Sequence, residues 1–318
     1  MIVVHDADAR IDETPSVVTI GVFDGLHRGH QRVIDQVIAR ARAHDVLASV
    51  VTFDPHPAAV LDPEHAPLLL GTVDQRLEGL AALGVDRVRI LNFDHQVAHE
   101  RAEHFVERVL AGELGALEVV VGEDFRFGHG RTGDVDLLAR EGERWGFTVV
   151  PSVLFGDGQR WSSTAVRRAL DEGDVERAGV ILGRAFVLRG EVTHGDARGT
   201  DLGYPTANVA VGARQQLPAT GIYAGAVRLP DRRWWPAAIS VGTRPQFYED
   251  GALLVEVHVV GYGGDLYDAT LDVAFLSRLR GEQVFADVAA LVNQIERDVV
   301  ASVEVFANFS PAASVLLG

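Results

Sequence analysis

The sequence has no cysteine, no lysine, a single methionine and no apolar run near the roughly 18 residues that span a bilayer. Without cysteine, neither a disulfide framework nor a thiolate zinc site can form. Without lysine, arginine supplies all 29 basic side chains. Net positive charge is also missing: the formal balance is −16 at pH 7. A protein that holds long nucleic acid needs a concentrated basic face to displace counterions, and no basic run occurs. A few arginines and backbone N–H groups still suffice for a small anion. The opening stretch MIVVHDADAR reaches charge too soon for a signal peptide. These absences lead us to expect a soluble cytoplasmic protein acting on small molecules, with no nucleic-acid partner and no membrane.

Apolar residues are plentiful. The chain is 318 residues long and 47% hydrophobic, enough for two domains with real cores. The first half alternates. Strand-like runs at 17–22, 48–53, 87–93, 118–121 and 147–150 are separated by helical spacings at 32–44, 74–83, 104–111 and 134–145. Such alternation predicts a parallel sheet with crossover helices on both faces. Residues 163–182 read as one helix with an N-cap serine. After Gly183 the pattern changes to strand-like runs at 185–192, 221–229, 234–241, 253–260 and 269–275, divided by turn residues. This predicts a small antiparallel barrel, closed by a final helix over 284–300. The expected domains are 1–182 and 183–318.

Open α/β sheets bind ligands at the carboxyl ends of their strands. There the first strand runs into GVFDGLHRGHQ, residues 21–31. Gly21 and Gly25 let backbone approach a ligand, and Gly29 leaves room for a flat or phosphorylated group. His27 and His30 are three apart at a helix start, so they share a face. The helix N-terminus adds free N–H donors and partial positive charge. The sum is a phosphate cradle with two imidazole donors. A metal pair and two plain surface histidines are the competing readings. Farther on, WSSTAVRRAL puts Ser162, Ser163 and Thr164 at a helix start with Arg167 one turn later. That is a good cap, and equally an anion grip. Residues 53–57, FDPHP, form a stiff loop, either a pocket wall or a structural turn.

The second half carries HGDARGTDLGYPTANV, residues 194–209. Gly195, Gly199 and Gly203 make either a phosphate-covering loop or a hairpin. Thr206 and Asn208 share a face if extended, and their oxygens suit Mg²⁺. Glu256 shares a strand face with Leu254 and His258. On an exposed edge it would be innocuous, and inside a barrel mouth it could be a general base.

The order of GVFDGLHRGH, FDPHP, VGEDFRFGHGRTGD and SSTAVR, then PTAN, VGTRPQF, VEVHVV and RLRGEQVF, resembles the bacterial bifunctional riboflavin kinase/FAD synthetase family. The resemblance covers nearly the whole chain. It implies a Rossmann-like nucleotidylyltransferase domain followed by a riboflavin kinase barrel with a C-terminal helix. It implies that riboflavin is phosphorylated to FMN, then adenylylated to FAD, with ATP and Mg²⁺. By the resemblance, His27 and His30 contact the ATP phosphates beside Gly21, Phe23, Asp24 and Gly29. Ser163, Thr164 and Arg167 grip the departing end, and Asp124 and Phe125 lie where nucleotide meets flavin. In the barrel, Gly195, Gly199 and Gly203 cover ATP. Thr206 and Asn208 hold Mg²⁺, Glu256 is the base, and Arg278 and Phe285 lie near the flavin. Thr200 and Gln246 depart from the family pattern. The rivals are a cytidylyltransferase-like enzyme with an appended barrel and a non-catalytic flavin-binding or flavin-sensing relative.

Overall fold

The computed structural model describes residues 1–5, 14–152, 161–194, 202–243 and 253–310. The chain divides into two compact units. One comprises Met1–Leu68 and Val73–Trp161; the other comprises Leu69–Thr72 and Ser162–Leu316.

In the first unit, six strands are seen among the described residues: β1 (Ile2–Val4), β2 (Ser16–Ile20), β3 (Leu47–Phe53), β4 (Arg87–Leu91), β5 (Ala116–Gly122) and β6 (Thr148–Ser152). They form one sheet in the order β1-β4-β3-β2-β5-β6, and every neighbouring pair is parallel. The helices are α1 (Arg28–His44), α2 (Pro57–Leu61), α3 (Val73–Leu83), α4 (His95–Ala98), α5 (Ala102–Phe105) and α6 (Val135–Trp145). Helix α5 continues as a π-helical segment, Val106–Glu113. Side-chain alternation along the strands separates two cores. Val17, Val50 and Val88 pack under Val33, Ile34 and Val37 of α1. Val18, Val51 and Val119 pack under Val106, Val109 and Leu138. A parallel sheet covered on both faces explains why β2 is buried at every residue.

The strand order reverses at β2: β3 and β4 follow on one side, β5 and β6 on the other. The carboxyl ends of β2 and β5 therefore flank the switch point, where such sheets open a crevice. The loops leaving them are 21–27 and 123–128.

The second unit begins with α7 (Ser163–Asp171) and α8 (Val175–Leu182). The single helix expected over 163–182 is two. Gly173 sits at φ 74°, the left-handed region, and turns the chain between them. Strands β7 (Phe186–Thr193), β8 (Ala207–Ala210), β9 (Gly221–Arg228), β10 (Trp234–Thr243), β11 (Leu253–Val259) and β12 (Thr270–Arg280) close a barrel in the order β10-β11-β8-β7-β12-β9. All pairs are antiparallel. The final helix, α9 (Val288–Phe306), starts later than the sequence suggested, because Asp287 caps it by accepting from the Ala290 N–H at 2.7 Å.

The two compact units part between Trp161 and Ser162. Hydrogen bonds tie α7 and α8 to the barrel's unit. Gln216 Nε2 donates to Asp171 Oδ1 at 2.8 Å, Ser277 Oγ to Glu176 Oε1 at 2.6 Å, and Arg278 Nη1 to the Glu172 carbonyl at 3.2 Å.

Candidate active sites

The first candidate site is the loop after β2. Phe23 and Leu26 have φ values of 55° and 43°, where side chains are rarely tolerated, and Gly25 is at 76°. Strain of this kind persists only where surroundings over-determine it. The loop is held from below by a buried arginine. Arg76 Nη1 donates to Thr52 Oγ1 at 2.8 Å and to the Phe53 carbonyl at 2.9 Å, and Thr52 Oγ1 donates to the Val22 carbonyl at 3.0 Å. Burial pushes the Arg76 guanidinium below its usual value, while the Asp24 and Asp54 carboxylates pull it back up. From the other side, Gln31 Nε2 donates to the Leu26 carbonyl at 2.7 Å.

His27 is the N-cap of α1, and its Nδ1 accepts from the His30 N–H at 3.4 Å. An accepting Nδ1 carries no proton, so neutral His27 bears its proton on Nε2 and can donate from there. The two imidazoles stack with centroids 3.6 Å apart and planes at 24°, and Phe23 meets His30 edge-on at 5.1 Å. Gly29 leaves room for this arrangement: a Cβ there would lie 3.1 Å from the His27 ring and 3.4 Å from the Trp161 carbonyl, so the ring would have to give by a few tenths of an ångström. The Trp161 ring takes Arg28 and Arg32 at 5.6 and 5.3 Å. In the neighbouring loop, Asp124 is exposed, and Phe125 stacks on Phe127 at 5.3 Å. His56 accepts from the Ala58 N–H at 3.1 Å and caps α2, which accounts for it as a structural turn residue.

The second candidate site is on the barrel. Asn208 of β8 and Glu256 of β11 are register partners, so they stand side by side across adjacent strands. Ser240 of β10 follows Glu256 in the same row. Val255 and Val257 are fully buried, whereas Glu256 and His258 alternate with them and are only partly covered. Glu256 therefore lies on the barrel's outer face, not inside its mouth. There it lines a cavity of about 390 Å³, with Thr206, His258 and Arg280 on one wall and Leu291, Ile295 and Asp298 of α9 on the other. A second cavity of about 380 Å³ is lined by Thr206, Asn208 and the 262–267 loop. Thr206 belongs to both. Asn208 is 8% exposed, and its Oδ1 has no hydrogen-bond partner among the described residues. A buried acceptor without a donor costs about 1–3 kcal/mol, a deficit that a bound cation or water removes.

Similarity to known proteins agrees with both halves. A family model described as FAD synthetase matches residues 9–165, and one described as riboflavin kinase matches 182–306. A bifunctional riboflavin kinase/FMN adenylyltransferase of Pseudomonas fluorescens is 42% identical over 92% of this chain and 94% of its own length. The protein of that name from Escherichia coli K12 is 37% identical over 93% and 94%. The chain belongs to the bifunctional riboflavin kinase/FMN adenylyltransferase family. A solved structure described as a macrolide-efflux protein from Streptococcus pneumoniae is 31% identical with TM-score 0.86, covering 98% of this chain and 100% of that one. No helix among the described residues is long and apolar enough to cross a membrane.

Against this family, the first unit gathers Gly21, Phe23, Asp24 and His27 in the loop and Gly29 and His30 in the first turn of α1, with Asp124 and Phe125 leaving the adjacent strand. Ser163, Thr164 and Arg167 stand on the first turns of α7, in the second unit; Ser162 caps that helix, its Oγ accepting from the Ala165 N–H at 3.2 Å. Thr206, Asn208 and Glu256 come together. Arg278 does not join them: it lines neither cavity, and Nη2 donates to the Thr220 carbonyl at 2.9 Å. Arg280 takes the cavity position, paired with Asp298 at 2.7 Å and over the Phe285 ring at 5.7 Å. Gly203 sits at φ 84° with open space around it. Gly195, Gly199, Thr200 and Gln246 lie outside the described residues. Sequence reading missed Arg76, Ser240, His258, Arg280 and Asp298. Of these, only His258 carried a signal, two residues after Glu256 on the same strand face.

Proposed function

We propose that the barrel unit phosphorylates riboflavin to FMN and that the switch-point crevice of the first unit adenylylates FMN to FAD. The observation that carries the kinase half is the register pairing of Asn208 with Glu256, beside a cavity wide enough for a flavin. The functional division is read at 182/183, a reading supported by the riboflavin kinase match, which begins at residue 182.

In the kinase, Glu256 Oε accepts the proton of the riboflavin 5′-hydroxyl. The freed oxygen attacks the γ-phosphorus of ATP, the bond to the β-phosphate bridging oxygen breaks, and ADP leaves. Thr206 and Asn208 are the residues to hold Mg²⁺. The hard oxygen donors and the orphaned Asn208 Oδ1 fit that ion. When bound, it neutralises charge between the phosphates. The flavin takes the cavity beneath α9 and the nucleotide takes the cavity beside the 262–267 loop, with Gly195, Gly199 and Gly203 covering its phosphates. Phe285 reaches the flavin side by way of Arg280.

In the adenylyltransferase, an FMN phosphate oxygen attacks the α-phosphorus of ATP and the α–β bond breaks, releasing pyrophosphate. No covalent nucleophile is needed; positioning and charge stabilisation suffice. His27, donating from Nε2, and His30 meet the developing charge, aided by the N-terminus of α1. Gly21 and Gly29 let the phosphates come close. Phe23 and Asp24 border the nucleotide, and Asp124 and Phe125 border the meeting point with the flavin. Ser163, Thr164 and Arg167 grip the pyrophosphate end.

Product analysis with riboflavin, ATP and Mg²⁺ tests both halves at once. FMN appears first and FAD second, and chelation of Mg²⁺ stops both. FAD from supplied FMN without any FMN from riboflavin would remove the kinase half.

A further inference from the structure

We infer that His258 is the positioning residue of the kinase metal site: its ring holds the segment that carries Thr206. The inference rests on the kinase reading of this site.

Thr206 precedes β8, which begins at Ala207, so the ladder does not fix it. Its neighbour Pro205 has no N–H to donate. Among the described residues, the only side chain that hydrogen-bonds to the 204–206 backbone is His258, whose Nδ1 lies 2.8 Å from the Pro205 carbonyl. A carbonyl only accepts, so Nδ1 carries the proton and donates. Tyr204 meets the His258 ring edge-on at 5.5 Å, closing the same clamp. His258 is two residues from Glu256 on one face of β11, and both line the cavity that Thr206 shares. One strand therefore sets two distances: β11 carries the base directly and the metal ligand through the Pro205 carbonyl. Groups that orient ligands in this way typically matter by 10–100-fold in metal affinity.

The variants are His258→Phe, which keeps the ring packing and deletes the donor, and His258→Asn, whose Nδ2 replaces Nδ1 at the same reach. The probe is Mn²⁺ bound to full-length protein with ADP, followed by electron paramagnetic resonance. Alongside it, FMN formation is titrated with Mg²⁺, and riboflavin binding is followed by flavin fluorescence. His258→Phe should weaken Mn²⁺ binding by about 10-fold and shift the Mg²⁺ requirement equally. His258 lines the flavin cavity, so riboflavin affinity should fall by less than metal affinity rather than stay fixed, and His258→Asn should recover most of the metal loss. FAD formation from FMN reports that the first unit is folded, and riboflavin binding reports that the barrel unit is. Wild-type Mn²⁺ affinity in His258→Phe overturns the inference. So does a loss that His258→Asn fails to restore, or a parallel fall in riboflavin binding. If wild type binds Mn²⁺ but makes no FMN, the kinase reading has failed, while the Mn²⁺ comparison still decides the role of His258.

Discussion

Gly29→Ala sets two effects of similar size against each other. Alanine is favoured over glycine inside a helix by about 1 kcal/mol, and residue 29 lies in the first turn of α1, so the intrinsic effect on stability is a gain of at most that amount. The added Cβ, however, would sit 3.1 Å from His27 Cε1 and Nδ1, tighter than an ordinary carbon contact. The His27 ring must yield by a few tenths of an ångström. It cannot yield alone, because it stacks on His30 at 3.6 Å, so both proposed phosphate donors shift. Misplacement by 1 Å can cost about 10²-fold in rate, and a few tenths should cost roughly 10-fold, or about 1.4 kcal/mol of barrier. The expected result is a protein as stable as wild type or slightly more so, with FAD formation reduced roughly 10-fold and FMN formation unchanged. Thermal melting and the two product assays, run on one preparation, measure all three. Unchanged FAD formation would refute the role given to the histidine pair. Equal loss of both activities would point to damage of a general kind.

Either His27→Ala or His30→Ala should slow FAD formation by about 10²-fold or more and leave FMN formation near wild type, as measured by the same two assays. Glu256→Gln keeps the shape of the side chain and removes the base; it should lower FMN turnover by roughly 10²–10⁴-fold with riboflavin affinity little changed, and equal rates would exclude Glu256 as the base. Asp272, 5% exposed, is clamped at 2.6 Å by both Arg189 and Arg228. Asp272→Ala removes the carboxylate that two largely buried arginines share and should cost about 3–5 kcal/mol in chemical denaturation, whereas a cost below about 1 kcal/mol would mean that the arginines' other contacts and solvent compensate for its loss.

Long, strongly periodic elements were legible in the sequence. The apolar positions of α1, Val33, Ile34, Val37, Ile38 and Ala41, are the buried ones, and β3 and β5 follow their valine runs. Punctuation was harder to read. Gly173 looked like a glycine inside a helix and is instead a left-handed break, paired with the N-cap Asp174, which accepts from the Arg177 N–H. β8 is short and follows a glycine-rich stretch, so it offers no period to count. The chemistry-bearing motifs were recognisable because their residue types are contiguous. Arg76 and Asp298 were invisible because they reach their sites from distant elements, and nothing in their own neighbourhoods marks them; Arg280 stood inside the RLRGEQVF motif, where nothing separated it from Arg278. The face of the barrel on which Glu256 lies was also unreadable: alternation separates two faces but does not say which one a later helix will cover.

The pairing of Asn208 with Glu256 has an evolutionary consequence. Side chains on a strand alternate, so inserting or deleting a single residue within β8 or β11 would send one member of the pair to the opposite wall of the barrel. The connections between strands face no such parity rule, because extra loop length carries only a slowly growing entropic cost. Descendants of this barrel are therefore free to lengthen or shorten the joints around the site. Inside the two strands, length changes should survive only in even steps or in compensating pairs.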